Sequence, residues 1–134
     1  MKKFVYLLMF MLLTGCASTE PPSDSEFKKF FDDTEFMVGI LETAYNDGMR
    51  ELTFEEEREA VAYEANYDES SEFQKKTDDP SISIVVSMVS LMKLSLGKTG
   101  TVIGDNDPNK DFLEYSSELR TELTEAKSKF LEEK

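Results

Sequence analysis

The chain has 134 residues, 28 Asp and Glu against 15 Lys and Arg, one cysteine and no histidine. At a formal charge of −13 and with no cluster of Lys or Arg, it lacks the basic face that a nucleic-acid binder needs. Without histidine the commonest general base is missing, and neither a Ser-His-Asp triad nor a His-bearing zinc site can be built.

The chain opens on Met1-Lys2-Lys3, a basic tip, followed by the ten apolar residues Phe4 to Leu13. A basic start, a short apolar run and small residues at the cut describe a secretory signal peptide. The run is too short to span a bilayer, which needs roughly 20 residues. Thr14 and Gly15 are the small residues, and the only cysteine follows them directly. Leu13-Thr14-Gly15-Cys16 resembles the lipobox of bacterial lipoproteins: Leu, a small residue, Gly or Ala, then Cys. The resemblance covers about the first sixteen residues. It implies a diacylglyceryl group on the Cys16 sulfur and removal of residues 1–15, which makes Cys16 the first mature residue. One acyl chain anchors marginally, whereas two hold firmly. An ordinary signal peptide with an incidental cysteine, or a retained anchor helix, is the alternative. The resemblance places the protein on the outer face of the plasma membrane in a Gram-positive cell. In a Gram-negative cell Ala17, which is not the Asp typical of inner-membrane lipoproteins, favours the outer membrane.

Removal of residues 1–15 leaves 119 residues, enough for one small domain. It also takes away Lys2 and Lys3, so the formal side-chain charge moves from −13 to −15. Such a body is repelled by anionic head groups and stands off the membrane. Its surface attracts a basic partner or cations, or serves solubility alone.

Residues 16–25 are polar with Pro21-Pro22 in their middle, which reads as a flexible tether. The helical domain then covers 26–134. Its first helix is expected over about Glu26 to Gly48, with Ser25 as N-cap and Lys28 where a capping box wants Glu. Phe27, Phe31, Thr34, Val38, Leu41, Tyr45, Gly48 and Leu52 alternate by four and three, the stripe of a helix, and Phe30, Phe36, Met37 and Ile40 widen it. Thr53 and Glu56 form a capping box for a second helix, about Phe54 to Tyr67, with Phe54, Arg58, Val61, Ala62 and Ala65 as its apolar face. This helix is either separate or a continuation of the first through a kink near Gly48.

The stretch from Asp68 to Asp79 is polar and reads as a connector. Ser81 to Leu96 carries one charge, Lys93. Its alternating Ile82, Ile84 and Val86 permit a strand, but its length and Met/Leu-rich second half favour a helix buried nearly all round. Ser83, Ser87 and Ser90 share one face that would let another helix approach closely. A membrane span is the other possibility, though sixteen residues reach only about 24 Å. After a loop with three glycines, a last helix is expected over about Asp111 to Glu132, capped by Asp107 or Asn109. Phe112, Ser116, Leu119, Leu123, Ala126 and Phe130 form its stripe. The expected fold is all-α, a small three- to four-helix bundle with the apolar helix at its centre.

For chemistry the residues offer little. The pairs Asp32-Asp33, Asp78-Asp79 and Glu132-Glu133 and the run Glu55 to Glu57 point about 100° apart on a helix and do not converge. Gly97 to Gly100 lacks the first glycine and the spacing of a phosphate loop. Asp105, Asp107, Asn109 and Asp111 place oxygen donors at alternate positions, in partial resemblance to an EF-hand calcium loop. Lys110 stands where that pattern wants Gly, Ser116 where it wants Glu, and Pro108 stiffens the middle. Asp and Asn also favour turns and caps. The expectation is therefore a non-enzymatic, lipid-anchored module that binds an envelope protein. The alternative is an accessory lipoprotein that binds calcium or a small ligand through residues 105–111.

Overall fold

The computed structural model describes residues 20–97 and 107–132. The described chain forms α1 (Asp24–Asn46), α2 (Phe54–Tyr67), α3 (Glu72–Thr77), α4 (Pro80–Ser95) and α5 (Pro108–Lys127), which runs on into a π-helical turn over Ser128–Glu132. Among the described residues there is no strand. The architecture is the small all-α bundle that the sequence predicts.

α1 starts earlier than expected. Its N-cap is Ser23, not Ser25. The Ser23 hydroxyl accepts the Glu26 N–H, and the Glu26 carboxylate accepts the Ser23 N–H at 2.8 Å, so the capping box is complete. Pro22 is buried, so the last residues of the expected tether belong to the folded body. At its other end α1 stops cleanly. Gly48 has φ +91° and Met49 φ +56°, and the Arg50 N–H donates back to the Ala44 carbonyl at 3.1 Å. This left-handed pair reverses the chain, so α1 and α2 are separate helices.

α2 has the predicted bounds and the predicted Thr53–Glu56 capping box. Its predicted face is wrong. The buried residues are Ala60, Tyr63 and Tyr67, while Phe54, Arg58, Val61, Ala62 and Ala65 are exposed. The tyrosines win because each phenol finds a partner on α1. Tyr63 Oη lies 2.9 Å from Thr34 Oγ1, and Tyr67 donates to Asp33 at 2.6 Å. A buried tyrosine ring contributes a large apolar area once its hydroxyl is satisfied.

The polar connector after α2 holds a further helix, α3, that the composition conceals. Ser71 caps it by accepting the Gln74 N–H, and Phe73 and Gln74 are buried. Phe73 completes an aromatic cluster: its ring centroid lies 5.2 Å from Phe30, 5.4 Å from Tyr67 and 5.6 Å from Phe27.

α4 is a helix rather than a strand. Asp79 caps it and Pro80 occupies its first turn, where a missing N–H costs nothing. Ile82, Val85, Val86, Val89 and Met92 are buried, but Ile84 and Leu94 are exposed, so the helix is not buried all round. Among the described residues no helix is long and apolar enough to cross a membrane.

α5 is capped by Asp107 and buries the predicted stripe, with Phe130 half-buried. It packs along α4 more extensively than any other two helices meet. It also lies antiparallel to α1. Tyr45 stacks on Phe112 at 4.4 Å, Glu42 receives Arg120, Glu35 receives Lys127, and Phe27 stacks on Phe130 at 4.3 Å.

Candidate functional sites

Leu13, Thr14, Gly15, Cys16 and Ala17 lie outside the described residues. So do Asp105 and residues 98–100 of the glycine-containing loop. The rest of the acidic cluster is engaged in starting α5. Asp107 accepts the Asn109 N–H at 3.0 Å. Asn109 Oδ1 accepts the Tyr45 hydroxyl, which ties this cap to α1. Among the described residues no group of three or more Asp or Glu gathers as a metal site.

The neighbouring carboxylates diverge, as their helical spacing requires. Asp32 pairs with Lys28, while Asp33 takes Lys29 and the Tyr67 hydroxyl. Glu56 goes to Arg50, and Glu57 goes to Lys93. Asp79 caps α4 and receives Lys129 from the far end of α5. Burial pushes the Asp79 carboxyl up, but Lys129 and the N–H and O–H of Ser81 outweigh it and hold it below its ordinary value.

Two phenols sit where a reactive group would attract notice. Burial raises Tyr63 well above the ordinary tyrosine value. Burial also raises Tyr67, and its bond to Asp33 adds to the shift because only the protonated phenol can donate it. Both stay neutral where a phenolate would be needed for chemistry. They act as buried fasteners between α1 and α2.

Arg50 clamps the turn between α1 and α2. Its Nη1 and Nη2 meet Glu56 Oε2 and Oε1 at 2.7 and 2.9 Å, a bidentate fork. Nη1 also donates to the Glu51 carbonyl at 3.0 Å. The guanidinium, then the Thr53 N–H, lower the Glu56 carboxyl from 4.5 to about 2. A depressed carboxyl adds stability that is complete above its unfolded value and is lost as pH falls through its folded one. E56Q keeps the capping geometry but removes the charge. The melting-temperature gap between wild type and E56Q is expected to be widest near neutral pH. It should narrow as pH drops below 4.5 and close near 2. A gap that is constant across a pH 2–7 series of thermal melts contradicts the assignment.

The serine face of α4 lies open for most of its length, and the short helix α3 touches it at Ser83. Ser83, Ser87 and Ser90 line an open groove of about 380 Å³ with Tyr67, Gln74 and Leu91. Ser83 donates to Gln74 Oε1 at 3.2 Å, and Gln74 Nε2 donates to the Tyr67 carbonyl at 3.1 Å. The Ser83 end of the groove is thus internally satisfied.

The surface that the sequence reading missed is the outward side of α2. Phe54 is 80% exposed and Val61 58% exposed. Across a groove of about 180 Å³, Ala62 of α2 meets Phe36 of α1, itself 60% exposed. Its signal in the sequence is the Phe54-to-Ala65 stripe, which periodicity alone does not tell from a core-facing one. No protein-family model, curated protein or solved structure matches the chain.

Proposed function

We propose that this chain is a bacterial lipoprotein, held at the cell envelope by diacylglyceryl on Cys16, that acts by binding another envelope protein and not by catalysis. The observation that carries the reading is Leu13-Thr14-Gly15-Cys16, set directly behind a basic tip and a ten-residue apolar run. The anchor also accounts for a lone cysteine in an exported chain, since alkylation removes a reactive thiol. Large apolar side chains exposed on α1 and α2 support the interaction role. The mature charge of −15 keeps the body off anionic lipid and available to a protein partner.

Fractionation of cells expressing the full chain or its C16S variant tests the anchor. Wild type is expected in the membrane fraction, at the size of residues 16–134 plus lipid. C16S is expected to be released or to keep its leader. A C16S protein that is fully processed and still membrane-bound overturns the lipid reading. A cross-linked pull-down of the tagged wild type from its own membranes tests the interaction role. One partner in near-stoichiometric yield is expected, and a blank counts against the role.

A further inference from the structure

We propose that the outward face of α2 is a docking surface for a basic amphipathic helix on a protein partner. This names the partner class of the interaction module above and rests on that reading.

α2 carries two apolar faces. One holds Ala60, Tyr63 and Tyr67 against the core. The other holds Phe54, Arg58, Val61 and Ala65, all exposed. At 100° per residue these four fall within a stripe about 60° wide and about 16 Å long. A stripe at spacings of four, three and four is the pattern by which one helix lays along another. Phe36 and Ala62 extend it sideways across the α1–α2 groove. Among the described residues nothing packs on this face, yet it is the most apolar exposed part of α2.

Charge selects the occupant. One edge of the stripe carries Glu55 and Glu59, neither of which is ion-paired among the described residues. The other edge carries Glu57 and Glu64, which share the single ammonium of Lys93 at 3.1 and 3.6 Å. Nine of the eleven described Lys and Arg side chains are already in ion pairs, and only Arg58 and Lys110 are not. Among the described residues almost no cation is therefore left with which to neutralise the edges of the stripe. A partner helix that brings Leu-type side chains down its centre and Lys or Arg along its flanks matches both features. Arg58, at the edge of the stripe nearest Glu55 and Glu59, asks for one acceptor on that helix and so fixes its register. A second copy of this chain fits poorly. It would set Glu55 and Glu59 against their own equivalents between two bodies of charge −15, and like charges in juxtaposition disfavour a contact.

The test uses the purified full-length mature chain in detergent. The probe is a fluorescein-labelled Leu/Lys peptide of about three heptads with leucine at the seam positions. A shuffled peptide of the same composition, with no apolar face, is the control. Anisotropy is expected to show the amphipathic peptide binding at least about tenfold tighter than the shuffled one. F54S/V61S, at two exposed positions, should lower that affinity at least about tenfold with an unchanged circular dichroism spectrum. E55Q/E59Q should weaken binding and flatten its salt dependence. Equal binding of the shuffled peptide, full binding by F54S/V61S, or no binding overturns the proposal. So does a dimer in sedimentation that F54S/V61S dissolves, since the face then belongs to a second copy. The pull-down separates the two levels. A partner retained by F54S/V61S leaves the interaction role standing and removes this surface, whereas a wild-type blank removes the role itself.

Discussion

Phe30→Ala is expected to destabilise the fold by about 3–5 kcal/mol, the range for deleting a buried phenylalanine. Phe30 has no exposed surface, and its ring is the hub of the aromatic cluster. Phe31 lies 5.2 Å away, Tyr67 meets it edge-on at 5.0 Å and Phe73 stacks on it at 5.2 Å. These rings come from α1, α2 and α3, so truncation opens a cavity where three elements meet. Collapse around it is restricted, because Tyr67 is also held by Asp33, and Gln74 beside Phe73 is held by the Tyr67 carbonyl. A domain of this size has about 5–15 kcal/mol in total, so the loss is roughly a fifth or more. Urea titration should show the shift in midpoint, with a melting temperature lower by about 12 °C or more. Phe54→Ala is the matched control. Its ring is exposed, and its cost should stay within about 0.5 kcal/mol. A Phe30→Ala midpoint as close to wild type as that control would show that the cluster is not where the stability resides.

The contrast between Phe30 and Phe54 marks where the sequence was legible. Long stripes that alternate by four and three led correctly to α1 and α5, because a helix with one buried side must repeat its apolar residues at that period. Thr53 with Glu56 located the start of α2 to the residue, since a capping box is local chemistry. The inward side of α2 was hidden because a short helix gives few repeats. Its true face is built from alanine and tyrosine, whose burial depends on hydroxyl partners 29 and 34 residues away in α1. Pro21-Pro22 suggests a tether running to Ser25, which hides Ser23 as the cap. α3 had a signal in Ser71 followed by Gln74, a capping pattern, but a single phenylalanine among charged residues gave no periodicity to attach it to. At the acidic loop, alternation of Asp and Asn suits ligand spacing and helix capping alike. Asp107 caps α5, and Asn109 ties its first turn to Tyr45.

The tie that fixes α2, and with it the orientation of its outward face, is the hydroxyl pair of Thr34 and Tyr63. Thr34 is fully buried and donates to the Phe30 carbonyl at 2.8 Å. Its single proton is thereby used, so Tyr63, with its oxygen 2.9 Å away, must be the donor to Thr34 Oγ1. The two partners therefore respond unequally to deletion. Thr34→Val keeps the shape and removes the only acceptor, leaving a buried O–H unsatisfied, at about 1–3 kcal/mol. Tyr63→Phe removes the donor but leaves the Thr34 hydroxyl bonded to Phe30, so only the net value of one hydrogen bond is lost, about 0.5–1.5 kcal/mol. In the double variant no polar atom is stranded, and its cost should fall clearly below the sum of the two single costs. Urea unfolding of the four proteins gives the cycle directly. Additive costs, or a Tyr63→Phe penalty larger than that of Thr34→Val, would mean that the hydroxyls do not act as a pair. The direction of donation assigned here would then be wrong. If the cycle closes as expected, the register of α2 on α1 is set by this buried contact together with the bond from Tyr67 to Asp33. Such contacts contribute modestly to stability but disfavour slipped packings, because a slip leaves the two tyrosine hydroxyls without partners.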